Sequence, residues 1–368
     1  LAGQTVNHAV VMDFSKYMRN VLEVNPEERW VRAQPGITLD ELNHHLRPHG
    51  LHFTPDPTTS SRATVGGAIG NNSCGAHSVR YGKTVDHVKE VAVVLSNGQT
   101  AHFRPLSGSE LASRLAQPGL EGEIYGSVTR IARDNAADID RRFPKIRRRV
   151  SGYNLDALLG DKPANMASLI VGSEGTLVVV TEAKVNLEPL PRVRGLAILH
   201  FTSILEAMEA TIAILEHGPS AVELIDDTVI RRSRESLGFA HRLSWVEGDP
   251  KAMLLVEFFG DAQQEVDAKI DRLRDDMAHR RLGYACVIAK TAEQQANAWA
   301  IRAAGLGLLM SVKGDTKPLP FVEDTAVDPN KLPQFVQRFD DIVRAHGTVA
   351  AYYGHAAEGC LHIRPMVN

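Results

Sequence analysis

Apolar residues recur along the first half of the chain in short, strand-length runs. Val21–Val24 and Trp30–Ala33 flank the turn signal Asn25-Pro26, and Val10–Phe14 predicts a further strand ahead of them. Thr38 with Glu41 forms a capping-box signature, and Leu39, Leu42 and Leu46 mark one apolar helix face that Gly50 closes. Val91–Leu95 predicts a buried strand ended by Asn97-Gly98. From 106 to 161 the pattern is mostly helical and predicts an insertion carrying a basic run from Arg141 to Arg149. Ser168–Thr181 returns to strand character around Gly172-Ser173-Glu174-Gly175.

After Pro189-Leu190-Pro191 the rhythm changes to a repeated strand, helix and strand. Leu196–Phe201, Ser203–His217 and Ala221–Ile225 give the first version. Met253–Phe259, Asp261–Arg281 and Tyr284–Ala289 give the second, and Pro320–Val327, Leu332–His346 and Thr348–Tyr353 the third. This predicts an α+β domain with helices on one face of a mainly antiparallel sheet. The expected division is 1–190 and 191–368.

Thr54–Lys83 fits neither rhythm. It is rich in Gly, Ser, Thr and Asn, and predicts ordered loop with short turns. Within it, Gly66-Gly67-Ala68-Ile69-Gly70-Asn71-Asn72-Ser73-Cys74-Gly75 would let backbone N–H groups converge on an anion, for which a diphosphate is the natural ligand. A purely structural loop is the alternative. The run is not a Walker A motif, lacking Gly-Lys-Ser/Thr at the right spacing, and it is not a dinucleotide fingerprint between a strand and a helix.

Composition narrows the class. Hydrophobic residues make up 43% and charged residues 23%, as in a soluble globular protein. The net charge of −3 leaves no basic excess to neutralise phosphates, which argues against nucleic acid as the main partner. The longest apolar runs, Leu177–Val180 and Met253–Val256, are strand-sized and far short of a membrane span. Cys74, Cys286 and Cys360 are dispersed and form no CxxC, so a disulfide framework or an iron–sulfur cluster within this chain is not expected. A reducing, cytoplasmic setting fits them.

Together the glycine-rich run, Gly152-Tyr153-Asn154-Leu155-Asp156 and Gly172-Ser173-Glu174-Gly175-Thr176-Leu177 resemble the FAD-binding superfamily of vanillyl-alcohol oxidase and p-cresol methylhydroxylase. Within it they are most similar to the 2-hydroxyacid dehydrogenases, which include the D-lactate and D-2-hydroxyglutarate enzymes. The resemblance implies an α+β fold: a two-part FAD-binding domain of the p-cresol methylhydroxylase type, then an α+β cap domain. It implies FAD contacts from Leu1, Ala2, Gly3 and Gln4 as the tail of a first diphosphate loop. Gly66, Gly67, Gly70, Asn71, Asn72, Ser73, Gly75 and Ser78 would form the second, and Gly172, Glu174, Gly175 and Val180 the third. Pro55, Thr58 and Asn154 would lie near the flavin.

On the substrate side, the family's carboxylate-binding pair is an Arg and a Lys at the spacing of Arg302 and Lys317. A fork and a point charge suit a carboxylate, although taken alone these would be two surface cations. Tyr353-Gly354-His355-Ala356-Ala357-Glu358-Gly359-Cys360-Leu361-His362 resembles the family's paired-His motif. The resemblance implies that His355 and His362 carry a divalent metal, zinc or manganese, that polarises the substrate hydroxyl. Ala357, Glu358 and Cys360 depart from the commoner motif and point to a subgroup of long polypeptides with a C-terminal iron–sulfur region. Leu306, where some relatives have Thr, points away from D-2-hydroxyglutarate itself.

Family motifs expected before Leu1 and after Asn368 imply a piece of a longer chain, in which the first diphosphate loop and the metal site would be completed. The expected activity is oxidation of a D-2-hydroxyacid to a 2-oxoacid, with hydride passing to flavin N5. The acceptor would be a quinone, a flavoprotein or an iron–sulfur region rather than NAD. A homodimer is compatible with the family. The basic run is expected to be a solvated helix face, with docking to an acidic acceptor or to the inner membrane surface as the alternative. Three rivals remain: a flavin oxidase of another alcohol, a non-catalytic scaffold and, last, a metal-dependent hydrolase built on His355 and His362, in which the flavin motifs would have no role.

Overall fold

The computed structural model describes residues 11–160 and 163–368. The chain divides into two compact units. One comprises the chain up to Lys145 with Arg149–Leu190, and the other comprises Ile146–Arg148 with Pro191–Asn368.

The first unit opens with β1 (Val21–Asn25) and β2 (Trp30–Ala33), paired antiparallel. Helix α1 (Leu39–Leu46) starts where the capping box predicts: Thr38 Oγ1 accepts from Glu41 N at 3.3 Å, and Glu41 Oε2 accepts from Thr38 N at 3.2 Å. Leu39, Leu42 and Leu46 are fully buried, as their spacing requires. After β3 (Leu51–His52) come three short helices, α2 (Val65–Asn71), α3 (Ser78–Tyr81) and α4 (Thr84–His87). Strands β4 (Val88–Val94) and β5 (Thr100–Phe103) precede the helices α5 (Gly108–Leu115), α6 (Leu120–Asp134) and α7 (Ala136–Arg142). The unit closes with α8 (Met166–Ile170), β6 (Val179–Asn186) and β7 (Glu188–Pro189). An antiparallel sheet in the order β1-β2-β6-β4-β5 buries Val31, Ala33, Val91, Val93 and Val185 in the core of this unit.

Three local expectations are corrected. Residues 11–14 form no strand. The glycine run is not loop at Val65–Asn71 but helix, because Val65, Ala68 and Ile69 provide a buried face at helical spacing and Thr64 Oγ1 caps it by accepting from Gly67 N at 3.1 Å. Gly66 is required there: a Cβ would stand 2.7 Å from Pro35 Cβ. The apolar run before Gly172 is likewise helix α8 rather than strand, capped by Asn165, whose Oδ1 accepts from Ala167 N at 3.0 Å.

The second unit is built on one sheet. Its elements are β8 (Val193–Phe201), α9 (Ile204–Leu215), β9 (Ala221–Asp226), α10 (Asp227–Glu235), β10 (Ala252–Gly260), α11 (Gln263–Arg280), β11 (Ala285–Ala289) and α12 (Ala292–Met310). Then follow β12 (Lys317–Pro318), β13 (Val322–Ala326), α13 (Leu332–Ala345), β14 (Ala350–His355) and β15 (Cys360–Val367). The order is β11-β8-β10-β9-β14-β15-β12, with β13 also on β15, and every pair is antiparallel.

Helices cover both faces of this sheet, not one. Gly195 turns towards α11, where a Cβ would meet Val266 Cγ1 at 2.3 Å. Its neighbours Leu196 and Ile198 pack with Val229 and Ile230 of α10 and Ile301 and Leu309 of α12. The strands are therefore buried along nearly their whole length, as β8 is from Gly195 to Phe201, and alternation could not reveal the second helical layer.

Candidate active site

In the first unit, the sequence motifs expected to hold FAD converge on a cleft of about 610 Å³. Gly66, Gly67, Gly70, Glu174, Gly175 and Val180 line it. Backbone bonds join the two glycine segments: Gly172 N donates to Ile69 O at 2.8 Å, and Glu174 N to Gly70 O at 2.9 Å. Asn71 Nδ2 adds a side-chain tie to Glu174 Oε1 at 3.0 Å. A Cβ on Gly175 would meet nothing within 4 Å, so its backbone faces open space that a ligand can approach. A cleft walled by exposed glycine backbone fits a dinucleotide diphosphate.

The remaining candidates of this unit stand around the cleft rather than in its wall. Asn72 is buried and its Oδ1 accepts from Val85 N at 3.0 Å. Ser73 Oγ donates to Asn71 Oδ1 at 3.3 Å, and Ser78 Oγ accepts from Gly75 N at 2.9 Å. Gly75 packs where a Cβ would overlap the Asp56 carbonyl. Asn154 Nδ2 clamps the turn before Gly172 by donating to Ser168 O at 3.1 Å and Val171 O at 2.8 Å. Pro55 is buried and Thr58 exposed. Leu1, Ala2, Gly3 and Gln4 lie outside the described residues.

In the second unit, charged side chains gather on the sheet face that α12 covers. Arg302 Nε donates to Glu223 Oε2 at 2.7 Å, and His355 Nδ1 lies 2.8 Å from Glu223 Oε1. All three are buried, at 4%, 1% and 6% exposure. The His355 and His362 rings meet edge to face with centroids 5.3 Å apart, and Tyr353 lies against His362 at 4.8 Å. On its other side His362 Nδ1 is 3.0 Å from Glu323 Oε1 and 2.9 Å from Asp324 Oδ1. Arg364 NH1 pairs with Glu323 Oε2 at 2.7 Å, and its NH2 donates to Tyr353 Oη at 3.0 Å.

The topology explains the convergence. His355 and His362 close the β14–β15 hairpin, whose register pairs Tyr353 with His362. Gly359 makes the turn at φ 67°, where a Cβ would overlap the Val327 carbonyl. The register of β13 against β15 slips between Val322 and Thr325, and this irregularity turns Glu323 and Asp324 towards His362, with Asp324 at φ 51°.

Electrostatics divides the two imidazoles. Burial would raise the Glu223 carboxyl, but His355 and Arg302 outweigh it and hold it at about 2. Burial takes His355 below the ordinary imidazole value despite Glu223. For His362, burial pulls down, but Asp324 and Glu323 prevail and the net shift is upward. Burial likewise opposes ionisation of Asp324, yet His362 holds it down to about 2.

Arg302, His355 and His362 are thus brought together. Lys317 stands on β12, exposed, its Nζ donating to Val312 O at 2.7 Å. The sequence reading missed Glu223, Glu323, Asp324 and Arg364. Glu223 had a signal, being the acidic residue of the apolar run Ala221–Ile225. Glu323 and Asp324 had none, since a strand irregularity leaves no mark in hydrophobic rhythm. The basic run also divides. Arg141 and Lys145 are exposed and pair with Asp138 and Asp140, whereas Arg148 is 7% exposed, with NH2 3.9 Å from Asp324 Oδ1.

Each imidazole presents Nδ1 to a carboxylate and keeps Nε2 as its other ligand atom. Metal-bound histidines commonly have this arrangement, so the donor set fits a divalent ion. Glu323, Asp324 and His362 also offer ligand atoms within 4.8 Å of one another.

Residues 1–104 match the FAD binding domain family, and residues 190–368 match the C-terminal domain of FAD linked oxidases. In both parts the chain is thus similar to FAD-linked oxidases. It is 37% identical over 375 residues to a D-2-hydroxyglutarate dehydrogenase of Pseudomonas putida, and 35% identical over 381 residues to one of Pantoea ananatis. Both comparisons take in 100% of this chain and 37% of the relative, so the chain spans a little over a third of their length. Among solved structures, an alkyldihydroxyacetonephosphate synthase superposes with a TM-score of 0.63 at 18% identity, covering 97% of this chain and 61% of that one. A p-cresol methylhydroxylase superposes with a TM-score of 0.60 at 14% identity, covering 95% and 64%. The fold is accordingly that of the p-cresol methylhydroxylase type. Among the described residues, no helix is long and apolar enough to cross a membrane.

Proposed function

We propose that the chain is the flavin-binding and substrate-binding part of an FAD-dependent dehydrogenase that oxidises a D-2-hydroxyacid, with D-2-hydroxyglutarate as the first substrate to test. The observation that carries this reading is the cluster of buried Arg302, Glu223 and His355 with half-buried His362. It combines a cation for a carboxylate with imidazoles for a hydroxyl, the two groups that a 2-hydroxyacid presents.

Arg302 holds the substrate carboxylate, and Lys317, exposed on β12 and bonded to Val312 O, enters only as the second cation that the family spacing implies. The Arg302 guanidinium is already oriented by Glu223. His355 and His362 would hold the divalent ion, zinc or manganese, which supplies the polarisation that lowers the hydroxyl pKa. FAD, when bound in the glycine-walled cleft, supplies the hydride acceptor at N5. The electrons leave to a quinone, a flavoprotein or an iron–sulfur region. Leu306, at 46% exposure on α12, stands where the family resemblance casts doubt on D-2-hydroxyglutarate, whereas the relatives' names favour that acid.

The test is the visible spectrum of the purified protein before and after anaerobic D-lactate and D-2-hydroxyglutarate. Flavin bands bleached by one of the acids support the reading and name the substrate. Bands that persist with both move the substrate to another alcohol. Absence of bands after added FAD favours a non-catalytic scaffold.

A further inference from the structure

Glu223 contacts both Arg302 and His355 of the candidate site. Its Oε2 accepts from Arg302 Nε at 2.7 Å, and its Oε1 lies 2.8 Å from His355 Nδ1. The three come from β9, α12 and β14, separated by 79 and 132 positions in the chain. All are nearly excluded from water, with Glu223 at 1% exposure. A carboxylate placed so deeply costs several kcal/mol unless its oxygens are satisfied. Here each oxygen serves a different functional group, which a carboxylate acting only as a core ion-pair partner would not need.

We propose that Glu223 is a shared positioning residue, fixing the Arg302 fork and the His355 tautomer at once. The inference rests on the functional reading given above and deepens it. An ionised carboxylate only accepts, so His355 must carry its proton on Nδ1 and present Nε2 as a lone pair. The same carboxylate occupies the Nε edge of Arg302 and sets the plane of the guanidinium. Any shift of Arg302 on binding a substrate carboxylate therefore pulls on the group that orients the imidazole. Recognition of the carboxylate and handling of the hydroxyl become one linked event.

The test uses Glu223→Gln in the holoenzyme, with the flavin spectrum and melting curve as checks of folding. In ¹⁵N-histidine NMR of the chelator-treated, metal-free protein, the signal assigned to His355 by its loss in His355→Gln should show the Nδ1–H form in the wild type and lose it in Glu223→Gln. In turnover of D-2-hydroxyglutarate, Glu223→Gln should raise KM and lower kcat, reducing kcat/KM about 10–100-fold. In an Arg302→Lys background its effect on KM should vanish while the effect on kcat stays. An unchanged tautomer, or equal effects in both backgrounds, overturns the proposal. If Glu223→Gln fails to fold, Glu223→Gln with Arg302→Met removes both buried charges, and the tautomer is read there. If the wild type turns over no D-2-hydroxyacid, the functional reading falls, and the NMR result alone decides the role of Glu223.

Discussion

Arg302 on α12 donates from Nε to Glu223 on β9, and its NH2 stands 2.7 Å from the same carboxylate oxygen, both side chains being almost wholly buried. The cation expected to wait for a substrate carboxylate therefore already has a protein partner. Breaking such a buried pair strands a charge. Arg302→Met should cost about 3–5 kcal/mol, read by urea denaturation, while Arg302→Met with Glu223→Gln should cost clearly less. Equal costs would show that leaving the Glu223 charge unpaired in the core is not destabilising.

Asp226 gives a pH prediction. Burial pushes its carboxyl up to about 7, although Tyr352 N donates to Oδ2 at 2.6 Å and Val229 N to Oδ1 at 3.0 Å. The folded state therefore keeps a proton that the unfolded chain releases near pH 4, so stability declines as pH rises from about 4 to 7 and levels off above. Asp226→Asn removes this contribution to the slope. It also loses one acceptor, which lowers stability throughout by roughly 1–3 kcal/mol. Denaturation midpoints of both proteins from pH 4 to 8 check this, and parallel curves would contradict it.

Gly359 supports the paired-His hairpin. Its φ of 67° and the position of the Val327 carbonyl exclude a side chain. Gly359→Ala should displace the turn between His355 and His362, with a loss of several kcal/mol. Gly347→Ala, also at positive φ but with nothing within 4 Å of its Cβ, should cost only about 1–2 kcal/mol. Thermal melts of the two variants make the comparison.

Asn71 and Glu174 tie the two glycine segments of the cleft. Asn71→Ala removes this tie, worth about 1 kcal/mol, along with the bond that Asn71 Oδ1 accepts from Ser73 Oγ, and should weaken FAD binding by roughly fivefold or more. Titration by quenching of flavin fluorescence measures it. An unchanged dissociation constant would place FAD elsewhere.

Much of the architecture was legible. The capping box of α1, the hairpin strands β1 and β2, and the strand–helix–strand rhythm of the second unit all follow from local spacing. Helices α10 and α12 escaped because the sheet they cover is buried on both faces, so its strands do not alternate. Helix α2 escaped because glycine hides helical propensity, while the deciding contacts, the Thr64 cap and the approach of Gly66 to Pro35, are not local to the pattern.

The sequence by itself determined that motifs for a flavin are present, and that an Arg, a Lys and two His residues stand at family spacings. Motif spacing survives without tertiary knowledge because it is fixed by neighbours along the chain. What only the tertiary structure decided is which groups share a charge environment. Glu223 meets His355 across 132 positions, and Arg148 leaves an otherwise solvated basic run to lie beside Asp324. Such pairings depend on strand order, on a register slip in β13 and on burial, and no local pattern encodes them.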